Sequence, residues 1–443
     1  MSDPLAASGV LLVMRRLTED FGRKEVLPRT VGDEDRIDHA RVAMARLADD
    51  SARRIGQNVR AARRASGKSL ETVAGLVGRS KAWLSKVENG KTRLERRSDI
   101  AALAEALEVS ADYLLDGPAP EVQPERQVYS LLGLQRVLLD AAPDDPPDIP
   151  ARPLEVLRAE VHQADMALRD ADYATVIRLL TSVIGELYVH AATGDEQARS
   201  EALRLVVQAC GSDATCMLRH LGEANLAWIA GERGQQAADM LNDPVWRGAA
   251  AFGRAHARIS ANKPRALMVT PRIADEVEPH IGDDPFGQQV YGMLRLSSAL
   301  ACQINNDHQA AADHAAEAAR VAERLGEDPN AFELFGPANT GVWRASLAVE
   351  AEQPAEALTY ADEVQPRFLA SKNRRAALCM ERARARAMLG HSPKVIYQEL
   401  RQAERLSPQQ TRNNPFIREL VADLLDRFGG RELRGLAWRM NLI

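Results

Sequence analysis

The chain has 443 residues, more than one compact core holds, so two or more structural units are expected. It is rich in Ala and Arg, only 5% aromatic and free of long β-branched alternation, which predicts an all-α fold and excludes a sheet-built core. The formal net charge of −5 is unevenly spread: between Ser51 and Arg97 thirteen Lys or Arg face three Asp or Glu, giving +10 there and −15 elsewhere, a basic module on an acidic body.

Residues 1–50 carry mixed charges, and Pro4, Pro28 and Gly32 interrupt any periodicity. A helix around Ile37 to Leu47 is the one element read there. The segment reads as a flexible N-terminal arm, as upstream sequence translated from an early start codon, or as an arm that wraps DNA. The run Gly9 to Met14 is too short to span a bilayer and lacks the flanks of a signal peptide. No other stretch approaches the roughly 20 apolar residues of a span, so a cytoplasmic protein without membrane contact is expected.

Residues 51–117 predict a DNA-binding domain. A first helix near Ala52 to Ala65 has a cationic surface of Arg53, Arg54, Arg60, Arg63 and Arg64. Two short helices joined by a tight turn follow over residues 67–90. Val73, Ala74 and Val77 form one apolar face, and Gly78 ends the helix where positive φ is needed. Ser80 caps the next helix, whose Leu84 and Val87 point back into the core. Lys81, Ala82, Ser85 and Lys86 then face outward, a polar and basic surface suited to the major groove. Gly90 permits a turn that offers N–H groups to a phosphate, with Asn89, Lys91 and Arg93 as further donors. Ile100, Leu103 and Leu107 close the core, and Ser110 caps a last helix ending at Asp116-Gly117.

These spacings resemble the helix-turn-helix of the phage-repressor and Cro-like (XRE) family over roughly residues 55–116. The resemblance implies a five-helix lambda-repressor-like domain that reads operator DNA as a homodimer. Arg60 matches a phosphate-contacting family position. Two departures stand out. Leu70 occupies the position where the family usually has a phosphate-holding Gln, so that contact is not carried over. Trp83 replaces a small residue and either packs on Leu70 or touches a thymine methyl.

Residues 118–153 predict a linker with one helix. Pro118, Pro120 and Pro124 break regular structure. A helix from Val128 to Leu139 is apolar enough to dock on the C-terminal body or to pair with its copy in a dimer. Five prolines between Ala141 and Pro153 mark a second break.

Residues 154–443 read as helix after helix. Turn signatures lie at Asp170–Tyr173, Gly231–Gly234, Ala261–Pro264, Asn305–His308, Glu352–Pro354, Gly390–Pro393 and Gly429–Gly430. The later ones repeat at close to forty residues, the period of two-helix repeats. The small residues Ala310, Ala311, Ala315, Ala318 and Ala319, and Ala355, Ala357 and Ala361, allow close helix packing. The pattern resembles a tetratricopeptide-like α-solenoid with a concave inner face. A Cro-like domain on such a solenoid is similar to the RRNPP quorum-sensing regulators, in which inner-helix Asn residues grip a signalling peptide. The resemblance implies a peptide, small-molecule or protein ligand. Asn225 with Trp228 and Asn339 with Trp343 are the matching pairs, each one helical turn apart, and both Trp residues also suit a core. Tyr291 and Arg295 form a further candidate pair.

The four cysteines show no CxxC pairing and no His at zinc spacing, so buried reduced thiols are expected and no metal or other cofactor. Cys210 and Cys216 would approach each other only across a turn at Gly211-Ser212. No Walker loop, GxGxxG, HExxH or GxSxG motif is present, which predicts no enzyme activity. The alternative to a regulator is a protein-interaction adaptor that uses the solenoid, with DNA binding secondary.

Overall fold

The computed structural model describes residues 53–64, 66–92, 94, 96–107, 109, 111–116, 131–257 and 267–443. The expectations for residues 1–50, Arg93, Ser110, the linker prolines and the turn at 261–264 lie outside the described residues. Among the described residues the regular structure is helical, apart from one isolated bridge between Ala142 and Asp145.

Five helices build the basic module: α1 (53–64), α2 (Leu70–Leu76), α3 (Lys81–Glu88), α4 (Arg97–Leu107) and α5 (Ala111–Asp116). Ile55, Val59, Val73, Leu84, Val87, Ile100, Leu103 and Leu114 fill one core among them. Ser69 Oγ accepts from Thr72 N–H and Ser80 Oγ from Trp83 N–H, so both short helices start at a serine cap. Gly78, at φ 64°, supplies the left-handed residue that turns α2 into α3.

Helix α6 (Leu132–Asp140) overlaps the helix expected over Val128 to Leu139, of which residues 128–130 lie outside the described residues. It docks on the body. Leu134 and Leu138 are fully buried in the same core as α8 (Tyr173–Thr193), and Arg233 Nε donates to Leu138 O at 2.9 Å. The proline-rich segment that follows packs too: Arg152 bonds Glu186 and Glu160, and Pro147 and Ile149 lie against Gly185.

The body continues through α7 (Leu154–Arg169), α8, α9 (Glu196–Val206), α10 (Thr215–Leu221), α11 (Ala224–Leu241), α12 (Pro244–Ala257), α13 (Thr270–Val277), α14 (Pro285–Ile304) and α15 (His308–Leu325). It ends with α16 (Pro337–Glu350), α17 (Pro354–Glu363), α18 (Lys372–Met388), α19 (Pro393–Leu406), α20 (Pro408–Asn413), α21 (Pro415–Phe428) and α22 (Arg431–Arg439). Turns fall at Ala171, Asn306, Glu352, Gly390 and Gly429, all at positive φ.

One expected turn is absent. Gly231 to Gly234 lies inside α11. Its glycines serve packing: a Cβ on Gly234 would sit 2.7 Å from Gly211 Cα, and one on Gly253 would sit 2.0 Å from Gly211 O. The facing backbone, Val207–Ala214, is a π-helix rather than a turn, so it does not fold Cys210 back onto Cys216. All four cysteines are free, and burial pushes the Cys210 and Cys216 thiols up to about 12.

A solenoid's repeats touch only their neighbours. Here the early and late helices of the body also meet. Asn373 Nδ2 donates to Leu168 O at 2.7 Å, and Tyr173 Oη donates to Asn373 Oδ1 at 3.0 Å. Asn413 Nδ2 donates to His220 O at 2.8 Å, and Lys372 pairs with Asp170 at 3.1 Å. Contacts therefore join helices of the body about 200 residues apart in sequence.

Candidate nucleic-acid interface

The recognition surface is set by how tightly α3 is held from behind. Gly56 on α1 lets the helices touch, since a Cβ there would sit 2.3 Å from Val87 O. Glu88, 3% accessible, accepts from Arg63 Nε at 2.5 Å and from Arg60 Nε at 3.3 Å. This buried carboxylate ties the end of α3 to α1, and without both arginines its charge would be stranded in the core. Arg79 forks onto Asp99 at 2.8 and 3.0 Å and lies 5.5 Å from the Trp83 ring centroid.

With its back fixed, α3 leaves Lys81, Ala82 and Lys86 exposed and Ser85 half-exposed. Lys81 Nζ stands 3.6 Å from the exposed Glu71 Oε2, a surface pair that is worth little and opens easily. Trp83 is half-buried and packs against the edge of the module's core, as does Leu70. Asn89 is exposed but engaged: Nδ2 donates to Ser85 O at 2.6 Å and Oδ1 accepts from Arg60 Nη2 at 3.1 Å. Its side chain thus closes the end of α3 and orients Arg60. Lys91 is exposed beside Gly90, which has φ 68° and abuts Arg53. The sequence reading did not assign Gly56, Arg63, Arg79 or Glu88 to the site; their roles depend on contacts across 20 or more positions.

The module rests on the body. Arg96 Nε pairs with Glu352 at 2.9 Å, and its Nη2 donates to Glu350 O at 3.4 Å. Phe416 of α21 packs against the module's core, and Arg384 lies 5.2 Å from the Phe416 ring centroid. Arg384 in turn pairs with Glu350 and Glu381, each at 2.8 Å, in a buried ion triad.

The candidate ligand residues divide into three settings. Asn225 is exposed, and Trp228 is half-buried with the Arg254 guanidinium 5.2 Å from its ring centroid. Tyr291 and Arg295 are both buried; the guanidinium lies over the ring at 4.8 Å and pairs with Asp275 at 2.8 Å and Glu278 at 3.0 Å. Asn339 and Trp343 are buried on α16. Asn339 donates to Glu333 O at 2.9 Å and accepts from Arg374 Nε at 2.7 Å, and the Trp343 indole N–H has no hydrogen-bond partner among the described residues.

Among the described residues no helix is long and apolar enough to cross a membrane. A comparison with curated proteins finds no match for the chain. A family model described as a helix-turn-helix domain matches residues 54–115, so a helix-turn-helix DNA-binding domain forms the basic N-terminal part of the described structure.

Proposed function

We propose that the chain is a sequence-specific transcriptional regulator that binds operator DNA as a homodimer. The observation that carries this reading is the outward face of α3, where Lys81, Ala82, Ser85 and Lys86 are left to solvent on a helix whose other face is locked by Glu88 and the core. Lys81 and Lys86 reach guanine edges or phosphates, Ala82 meets an apolar base edge and Ser85 bonds a base. Arg60, Asn89, Lys91 and Arg93 approach phosphates, together with the Ser80 end of α3, and so set register rather than sequence. Trp83 supports the helix and borders the groove. One recognition helix reads few base pairs, so two copies on half-sites about 34–36 Å apart are required for useful specificity.

The body is read as a tetratricopeptide-like sensor, similar in arrangement to RRNPP regulators, that takes a peptide, small molecule or protein. Asn339 and Trp343 are its favoured ligand residues; Asn225, Trp228, Tyr291 and Arg295 are secondary. Its route to the DNA-binding module is the Arg96–Glu352 contact and the Phe416–Arg384–Glu350 stack. Ligand controls DNA binding only through different affinities for two arrangements of these parts.

Binding titrations on operator and scrambled duplexes at rising salt test the regulator reading. A large specificity ratio that persists as salt rises supports it. Equal affinities that vanish together would leave the adaptor reading.

A further inference from the structure

One side of α4 is buried although the module's own core does not use it. Ala101 is 7% accessible and packs in the body's core rather than in that of the module, and α4 touches α14. Arg96, just ahead of α4, keeps 18% of its side chain accessible, pairs with Glu352 at 2.9 Å and donates to Glu350 O at 3.4 Å. At a further place Phe416 of α21 packs against the module's core, and Arg54 of α1 and Leu115 of α5 line one groove with Pro415, Ala422 and Leu442. The module is thus seated through α1, α4 and α5 on three parts of the body: α14, the α16–α17 turn, and α21 with the C-terminus.

The seat leaves the recognition surface open and is tied to it. Lys81, Ala82 and Lys86 are exposed with the module in place. Asp99, on α4 between Arg96 and Ala101, takes the fork of Arg79 at 2.8 and 3.0 Å. Arg79 directly precedes Ser80, the cap of α3. Helix α4 therefore touches the body and also holds the start of α3. Contacts at three places leave the module little freedom to turn, so the direction of α3 follows the body. The covalent connection alone would not achieve this. Residues 117–130 join α5 to Leu131, and a chain of that length reaches up to about 50 Å when extended. That exceeds the roughly 34–36 Å between half-sites.

We infer that this seat, and not the length of the connection, fixes the half-site spacing that a homodimer of the chain accepts. Arg96 and Ala101 are then specificity-determining residues that act through position, without touching DNA. The inference rests on the homodimer reading and adds which arrangement binds operator, namely the seated one. With both modules held, the second half-site is engaged as an intramolecular step at high effective concentration. Released modules still bind, but more weakly and over a wider range of spacings.

The test uses the full-length protein and an operator selected with it from random duplexes. Three duplexes are compared: the operator, a single half-site, and the operator with about five base pairs inserted between half-sites, which turns one half-site to the opposite face of the helix. The unaltered protein is expected to lose at least about tenfold in affinity on insertion. Glu352→Arg sets two cations against each other, and Ala101→Glu puts a charge into the seat while lying outside the module's core. Each is expected to bind the operator about tenfold more weakly, to bind the half-site as before, and to lose less than about threefold on insertion. Arg96→Glu combined with Glu352→Arg restores the pair and the spacing dependence. Small-angle scattering without DNA should give both single variants a larger radius of gyration than the unaltered protein or the charge exchange. Spacing dependence retained by the single variants, half-site binding lost as much as operator binding, no restoration by the exchange, or superimposable scattering profiles would overturn the inference. Should Ala101→Glu fail to fold, the charge exchange carries the test, since it removes no core volume. A selection that yields no two-part site removes the homodimer reading, and scattering then decides the seat by itself. A two-part site with unchanged scattering removes the seat alone.

Discussion

The DNA-binding module and the body are both helical, but they are specified over different distances. In the module the determinants are close in sequence: serine caps at Ser69 and Ser80, left-handed glycines at Gly67, Gly78 and Gly90, and an apolar stripe on each short helix. In the body the decisive contacts join Leu168 to Asn373 and His220 to Asn413, about 200 positions apart. A locally specified domain presents its functional face on one short helix. The body is instead held by contacts between helices far apart in sequence. Charge follows the same division, with the module basic and the rest of the chain acidic.

The comparison breaks most sharply at two glycines. Gly253→Ala would drive a methyl into Gly211 O, where a Cβ has only 2.0 Å, and should destabilise the body by about 3 kcal/mol in chemical denaturation. Gly56→Ala, with 2.3 Å to Val87 O, should cost about 2 kcal/mol and fall on the module, read as lost DNA binding with the body's melting retained. If both substitutions unfold the whole chain in one transition at the same denaturant concentration, the two regions are not separable in stability.

Smaller perturbations sharpen the contrast. Asn373→Ala removes bonds to Leu168 O and Tyr173 Oη at the closure and should cost about 1–3 kcal/mol, visible as a lower denaturation midpoint. Glu352→Ala removes a half-exposed partner of Arg96 and should cost no more than about 1 kcal/mol while loosening the module from the body, measurable as faster proteolysis near the junction. The four thiols should resist a disulfide reagent at pH 8 in the native protein and react fully once it is unfolded. Burial raises all four, Cys210 and Cys216 to about 12 and Cys379 to about 11. Rapid native-state modification of two or more would contradict that burial.

Legibility followed the same distance rule. The five helices of the module, the outward placement of Lys81, Ala82 and Lys86, and the body turns at Ala171, Asn306, Glu352 and Gly390 all follow from signals within a few residues. The turn expected at Gly231–Gly234 failed because glycine serves two purposes, and there it admits a neighbouring backbone rather than a left-handed turn. The segment 141–153 was expected to be a break because of its prolines, yet Arg152 anchors it to Glu186 and Glu160. The Asn and Trp spacing placed Asn339 and Trp343 one turn apart, but gave no hint that Arg374, 35 positions away, bonds Asn339. Nothing local marks that contact; it depends on how the late helices pack.

The regulator reading is tested most directly by a footprint of the full-length protein on the DNA upstream of its own gene, with the Lys81→Ala/Lys86→Ala double variant as control. The account predicts two protected segments one helical turn apart, lost in the double variant at the same protein concentration. Protection that the double variant retains in full would contradict base readout by α3, and with it the regulator proposed for this chain.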